Sequence, residues 1–129
     1  MREVTEVAVG VLIDKEGRFL MASRPQGKPY AGWWEFPGGK LEAGEAVTEA
    51  LSREYAEELG VKVEKATPWF VFEREYPHAY VRLHFCRIVD WEGQPQPREG
   101  QTFQWFETLK QAQTEKLLPM CSLVIERLM

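Results

Sequence analysis

The sequence predicts an α+β fold, an α/β/α sandwich built around a mixed β-sheet. Strand-like segments lie on both sides of one strong amphipathic helix, and a further helical stretch closes the chain. No internal repeat, low-complexity tract or linker-like stretch divides it. At 129 residues and 15.0 kDa it is expected to form one domain over residues 1–129.

Residues 4–13 are rich in Val and Ile and read as a largely buried strand. Asp14-Lys15-Glu16-Gly17 is a polar turn, and residues 18–23 read as the returning strand. Pro25, Gly27, Pro29 and Gly32 interrupt regular structure until Trp33-Trp34-Glu35-Phe36. The strongest helical signal covers residues 46–59. There Val47, Leu51, Tyr55 and Leu59 recur every four positions, and Gly60 supplies the stop. Residues 61–75 and 80–91 have strand composition and flank Tyr76-Pro77-His78, the expected turn of a long hairpin. Residues 93–100 are loop, 102–106 a short strand, and 109–115 and 121–128 helical, with Pro119 between the last two.

Composition narrows the function. Hydrophobic residues make up 44%, which supplies a core without disulfides or structural metal. Sixteen Lys and Arg against twenty Asp and Glu give a net charge of −4. This opposes coating of a nucleic-acid duplex and polybasic attachment to a membrane surface. Cys86 and Cys121 lack metal-knuckle spacing and read as buried thiols. No apolar run is long enough to span a bilayer, and the first residues are acidic where a signal peptide is basic. A soluble, cytoplasmic protein is expected.

Chemistry concentrates in residues 38–61, GGKLEAGEAVTEALSREYAEELGV. In a helix, Glu54, Glu57 and Glu58 stand at i, i+3 and i+4 and share one face. Two of them occupy the last turn, where the helix dipole is already negative. Arg53, four residues from both Glu49 and Glu57, offsets only part of this repulsion. A solvated acidic face is the usual meaning of such spacing. Here, however, Phe36-Pro37-Gly38-Gly39-Lys40 and Gly44 form a glycine-bearing lead into the helix, which lets backbone groups approach an ion or phosphate closely. The missing partner of the acids would be a hard divalent cation, Mg²⁺ or Mn²⁺. Gly39 and Gly44 do not make a phosphate-binding P-loop, because Glu45-Ala46 stand where Lys-Ser/Thr is needed. His78 and His84 have no third ligand nearby in sequence and read as structural.

This segment resembles the signature of the Nudix hydrolases, G-x5-E-x7-R-E-U-x-E-E-x-G-U, with U a bulky aliphatic residue. It runs through Gly39, Glu45, Arg53, Glu54, Glu57, Glu58, Gly60 and Val61, so eight specified positions match. Tyr55 departs at the first aliphatic position, where a packing adjustment is expected. Trp34-Glu35-Phe36-Pro37-Gly38-Gly39-Lys40, Trp91-Glu92-Gly93, Arg98-Glu99-Gly100-Gln101 and Trp105 extend the likeness to the MutT branch, which hydrolyses oxidised purine nucleoside triphosphates such as 8-oxo-dGTP.

The resemblance implies a Mg²⁺-dependent attack at the β-phosphorus, giving a nucleoside monophosphate and pyrophosphate. It makes Glu54, Glu57, Glu58 and Glu99 the expected metal ligands, with a carbonyl of Gly38 or Gly39 beside them. Arg53 would orient Glu57 or its neighbours. Glu54 and Glu99 compete for the role of general base. Glu45 would organise the start of the helix, and Glu42 would be exposed and incidental. Lys40 would contact phosphate or remain solvated. Arg24, Phe36 and Tyr76 resemble the branch's base-binding surface, with Tyr80 a weaker candidate. Cys121 in Pro119-Met120-Cys121 takes the place of an Asn or Asp that reads the purine edge, and a thiol is a poor hydrogen-bonding replacement. The alternatives are a Nudix pyrophosphatase for a pyrimidine triphosphate or dinucleotide, and a non-catalytic nucleotide-binding module. A monomer is favoured; the expected partner is the nucleoside triphosphate, with no nucleic-acid duplex or membrane.

Overall fold

The computed structural model describes residues 3–75, 77, 79–113, 115–118 and 120–128. Tyr76, His78 and Pro119, and with them the expected hairpin turn at Tyr76-Pro77-His78, lie outside the described residues. The strands are β1 (Val4–Leu12), β2 (Phe19–Ser23), β3 (Trp34–Glu35), β4 (Gly38–Lys40), β5 (Lys62–Glu75), β6 (Tyr80–Glu92) and β7 (Thr102–Phe106). The helices are α1 (Val47–Leu59), α2 (Leu109–Ala112) and α3 (Cys121–Leu128).

The strands form a four-stranded sheet ordered β4-β1-β6-β5 and a three-stranded sheet ordered β3-β2-β7. The first is mixed: β1 runs parallel to β6, from Val4 opposite Tyr80 to Leu12 opposite Ile88, and antiparallel to β4. The long hairpin of β5 and β6 is present as expected. Alternation along β1 and β6 sends side chains to opposite faces. Ala8, Leu12, Cys86 and Ile88 pack with Leu51, Tyr55 and Leu59 of α1. Val11 and Phe85 pack on the other side with Val124 and Ile125 of α3. This is the expected sandwich, with one helical layer on each face.

Two local expectations change. Residues 18–23 do not return along β1; the two segments meet only at an Ile13–Phe19 bridge, and β2 joins the other sheet. A strand has two edges, and β4 and β6 occupy both edges of β1. The polar turn between them does form, with Asp14 Oδ1 accepting from the Glu16 and Arg18 amides. The glycines expected to be loop also become strand β4, where Val9 faces Gly38 and Ala8 faces Gly39. The helix expected from residue 109 to 115 is limited to Leu109–Ala112.

Candidate active site

α1 is preceded by its capping residue Ala46, whose amide donates to Glu49 Oε1 at 2.8 Å. It ends at Gly60, which adopts a left-handed φ of 72°. No basic residue occupies its last turn. The loop after β6 supplies one from outside: the Arg98 guanidinium lies so close over Gly60 that a Cβ there would stand 2.7 Å from Nη2. The same loop covers the carbonyls left open at the helix end. Gln96 N donates to Leu59 O at 2.9 Å, while Arg98 N and Gln101 Nε2 each reach Glu58 O at 3.3 Å. These bonds carry Glu99 toward the acidic end of α1.

Arg53 is the electrostatic hub. Its Nε and Nη2 donate to the two oxygens of Glu45, each at 2.9 Å, and Nη1 donates to Glu54 Oε1 at 2.9 Å. Nη2 also reaches the Lys40 carbonyl at 3.0 Å. The fork grips Glu45 on both oxygens, the stronger form of such a pair. Together with the Glu42 amide, it brings the Glu45 carboxyl down to about 2. Glu45 therefore organises the start of the helix, as expected. Arg53 restrains Glu54 more directly than Glu57, whose Oε2 is 3.7 Å from Nη1. Glu42 is exposed but stands 3.7 Å from Arg53 Nε.

Glu54 rests directly over Gly39: a Cβ built on Gly39 would overlap its carboxylate. Burial raises the Glu54 pKa against the opposing pull of Arg53, and nearby Glu57 and Glu99 raise it further. Glu58 is more strongly perturbed. Burial first, then the charges of Glu54, Glu99, Glu35 and Glu57, push its carboxyl up to about 8. Its Oε2 is buried without a hydrogen-bond partner.

A cleft of about 370 Å³ opens beside this acidic end. Glu58, Glu99, Gly38 and Gly39 line it together with Arg24, Phe36 and Cys121. The apolar wall is extended by Leu83 and Phe85 of β6. Arg24 donates from Nη1 to both oxygens of Glu35 at 3.2 Å and from Nε to Pro29 O at 2.7 Å. Burial raises the Glu35 pKa despite that pair. Cys121 opens α3 with its Sγ 3.7 Å from the Trp34 carbonyl, and burial pushes its thiol up to about 12. The thiol is therefore neutral and already engaged with backbone.

Seven of the residues singled out from sequence line this cleft (Arg24, Phe36, Gly38, Gly39, Glu58, Glu99 and Cys121), and the other described candidates do not. Lys40 does not line the cleft; it borders a separate depression with Glu6, Glu42 and Glu45, because strand β4 carries it past the opening. Arg53, Glu54 and Glu57 are not among the residues that line the cleft, and Glu57 is exposed. Tyr80 lies on β6 away from the lining, and His84 pairs with Glu6 at 2.9 Å. Sequence reasoning missed Lys28, Glu35, Leu83, Phe85, Gln101 and Met120 as cleft residues. Alternation along β6 makes Leu83 and Phe85 legible as one face, but nothing local says which face meets α3.

Among the described residues, no three acid, His or Cys side chains are arranged to enclose a metal ion as they stand. The donor set nevertheless fits a hard divalent cation. It offers carboxylate oxygens, a buried Glu58 oxygen without a partner, and mutual repulsion that a cation would relieve.

This combination of a mixed-sheet sandwich and a carboxylate-bearing helix beside a cleft of about 370 Å³ is consistent with a hydrolase of the Nudix type. The comparisons agree. A family model for the NUDIX domain matches residues 4–121. The chain is 36% identical over 106 residues to an 8-oxo-dGTP diphosphatase from Haemophilus influenzae, covering 82% of this chain and 78% of that protein. It is also 36% identical over 97 residues to the CTP pyrophosphohydrolase of Escherichia coli, covering 75% and 72%. A solved MutT structure, from work on Aliivibrio salmonicida and Vibrio cholerae, superposes with a TM-score of 0.83 at 27% identity over 98% of this chain and 97% of that one. The chain belongs to the Nudix hydrolase family, in its MutT-like branch. No helix among the described residues is long and apolar enough to cross a membrane.

Proposed function

We propose that this chain is a single-domain, Mg²⁺-dependent nucleoside triphosphate pyrophosphohydrolase that converts 8-oxo-dGTP, or a related oxidised purine triphosphate, to the monophosphate and pyrophosphate. Mn²⁺ would substitute for Mg²⁺, and the role would be sanitation of the nucleotide pool. The observation that carries this reading is the cleft itself. An apolar wall of Phe36, Leu83 and Phe85 adjoins Glu58 and Glu99, an acidic end that offers a bare polyphosphate no countercharge unless a cation stands between them.

Glu54, Glu57, Glu58 and Glu99, with the carbonyl of Gly38 or Gly39, would hold the cation. A bound divalent ion would neutralise phosphate charge and activate the attacking water. Water adds to the β-phosphorus; the bridging oxygen leaves with the α-phosphate, and pyrophosphate carries the new oxygen. Glu54, restrained by Arg53 and made more basic by burial, is one candidate to take the water's proton. Glu99, delivered by the loop strapped to α1, is the other. Arg24 has Nε and Nη1 committed to Pro29 and Glu35, which leaves Nη2 to meet a substrate acceptor. Phe36 offers the base an apolar contact.

The test is kcat/KM for 8-oxo-dGTP, dGTP, CTP and ADP-ribose with Mg²⁺. Preference for 8-oxo-dGTP by about tenfold or more supports sanitation, and equal rates on all four would remove that role while keeping the chemistry. A pyrimidine triphosphate is the second reading, favoured by Cys121 standing where a purine-reading amide or carboxylate is usual. Preference for CTP would establish it. A non-catalytic module is disfavoured by retention of Arg53, Glu54, Glu57 and Glu58, and predicts no turnover of any of the four.

A further inference from the structure

Tyr55 stands where the Nudix signature calls for an aliphatic side chain. An aliphatic residue would fill the core, whereas the tyrosine also carries a hydroxyl into it. The side chain is fully buried, with its hydroxyl 2.5 Å from the Gly10 carbonyl and 3.1 Å from the Pro37 carbonyl. Those two carbonyls mark the place where β1 and β4 part. The last paired residues are Val9 and Gly38, and Gly10 N donates to Pro37 O at 3.1 Å one step beyond.

Gly10 is fitted to this arrangement. A Cβ at Gly10 would stand 2.5 Å from the Tyr55 hydroxyl, 2.7 Å from Cζ and 2.8 Å from Ile88 Cδ1. The ring therefore occupies the space that a side chain at Gly10 would need. Pro37 leads directly into Gly38 and Gly39, and Gly39 is the seat of the Glu54 carboxylate. Tyr55 follows Glu54 on the same helix, so one helical turn meets Gly39 through the Glu54 carboxylate and Pro37, two residues before it, through the Tyr55 hydroxyl.

We infer that Tyr55 is a positioning residue whose hydroxyl pins the Gly10 and Pro37 backbone, and so fixes the Gly38–Gly39 segment against Glu54 for metal binding. This rests on the functional reading above, because it assigns those backbone and carboxylate groups to the cation site. A hydroxyl has a single hydrogen to donate, so one carbonyl takes it at a time while the other is held at contact distance. Groups that orient ligands from behind commonly alter metal affinity by about tenfold or more when removed.

The test compares Tyr55→Phe, which deletes only the hydroxyl, with Leu20→Ala, a truncation on β2 in the same buried cluster that removes no group from these hydrogen bonds. Two readouts are taken at a temperature where each variant is folded. In the metal-free protein, amide hydrogen exchange at Gly10 should accelerate about tenfold in Tyr55→Phe and no more than the global average in Leu20→Ala. In calorimetric titration with Mn²⁺, Tyr55→Phe should bind about tenfold more weakly, with KM for the nucleotide at saturating metal unchanged; Leu20→Ala should bind like the parent. Parent-like exchange at Gly10 and parent-like Mn²⁺ affinity in Tyr55→Phe would overturn the inference. Failure of the parent to bind Mn²⁺ would instead overturn the functional reading and the inference's metal arm with it, while the exchange readout would still judge the backbone clamp.

Discussion

Neutralising Glu58 should stabilise the metal-free protein at alkaline pH while abolishing its response to metal. The Glu58 carboxyl is raised from 4.5 to about 8 in the folded state, with burial the largest cause and Glu54, Glu99, Glu35 and Glu57 adding to it. The sign follows from proton counting. Between these two values the folded state holds a proton that the unfolded state has lost, so stability falls as pH rises. Below the ordinary carboxylate value both states are protonated and the penalty vanishes; above about 8 it is complete. At 1.36 kcal/mol per pH unit this interval has a ceiling of about 5 kcal/mol. Water still reaches part of the side chain, and screening reduces the effect to ~1–3 kcal/mol.

The assay is the melting temperature of metal-free parent and Glu58→Gln from pH 4.5 to 9. At the upper end the variant should gain on the parent by about 3–10 °C relative to their difference at the lower end. Millimolar Mg²⁺ should then raise the parent but not the variant, since only the parent retains the full ligand set. A parent–variant difference that stays constant across the pH range would refute the burial and crowding assigned to Glu58.

Three further outcomes are expected. Glu54→Gln should lower kcat by at least about tenfold with a parent-like far-ultraviolet spectrum, and Glu99→Gln measured beside it identifies the general base as the residue whose loss removes the acidic limb of the pH–rate profile. Gly39→Ala should cut kcat by a similar factor, because its methyl would overlap the Glu54 carboxylate; a fully active variant would show that this seat is unimportant. Cys121→Asn should shift kcat/KM toward 8-oxo-dGTP relative to CTP by about fivefold, since an amide offers donors and an acceptor that the thiol lacks. An unchanged ratio would remove Cys121 from base selection.

The elements with a strong local signal were legible in the sequence. The four-residue recurrence from Val47 to Leu59 and the Gly60 stop define α1 within one residue of its observed start. The β5–β6 hairpin and α3 also follow from composition and spacing. What escaped was partnership between distant segments. Nothing around residues 14–23 announces that β1 has both edges filled by β4 and β6, which sends β2 to another sheet. The Gly38–Lys40 strand borrows its order from β1, since its glycines have little strand preference of their own.

The candidate site divides the same way. The carboxylates on α1 were visible from helical periodicity and Gly39 from the glycine-bearing lead before it, and the family signature added Glu45. Arg53's preference for Glu45 and Glu54 over Glu57 depends on where β4 places the Lys40 carbonyl, which spacing does not encode. The absence of a basic last turn in α1 pointed toward a cation, yet part of that charge is met by Arg98, 38 residues beyond Gly60 in sequence. The fit of Tyr55 to Gly10 is another long-range match, legible only once β1 lies against α1.

The most direct test of the cation-bridged site is an anomalous-scattering map from crystals containing Mn²⁺ and a non-hydrolysable nucleoside triphosphate analogue. The expected map shows manganese between the Glu54, Glu57 and Glu58 carboxylates and the phosphate chain, with the base against Phe36. Nucleotide density in the cleft with no manganese beside those carboxylates would contradict it.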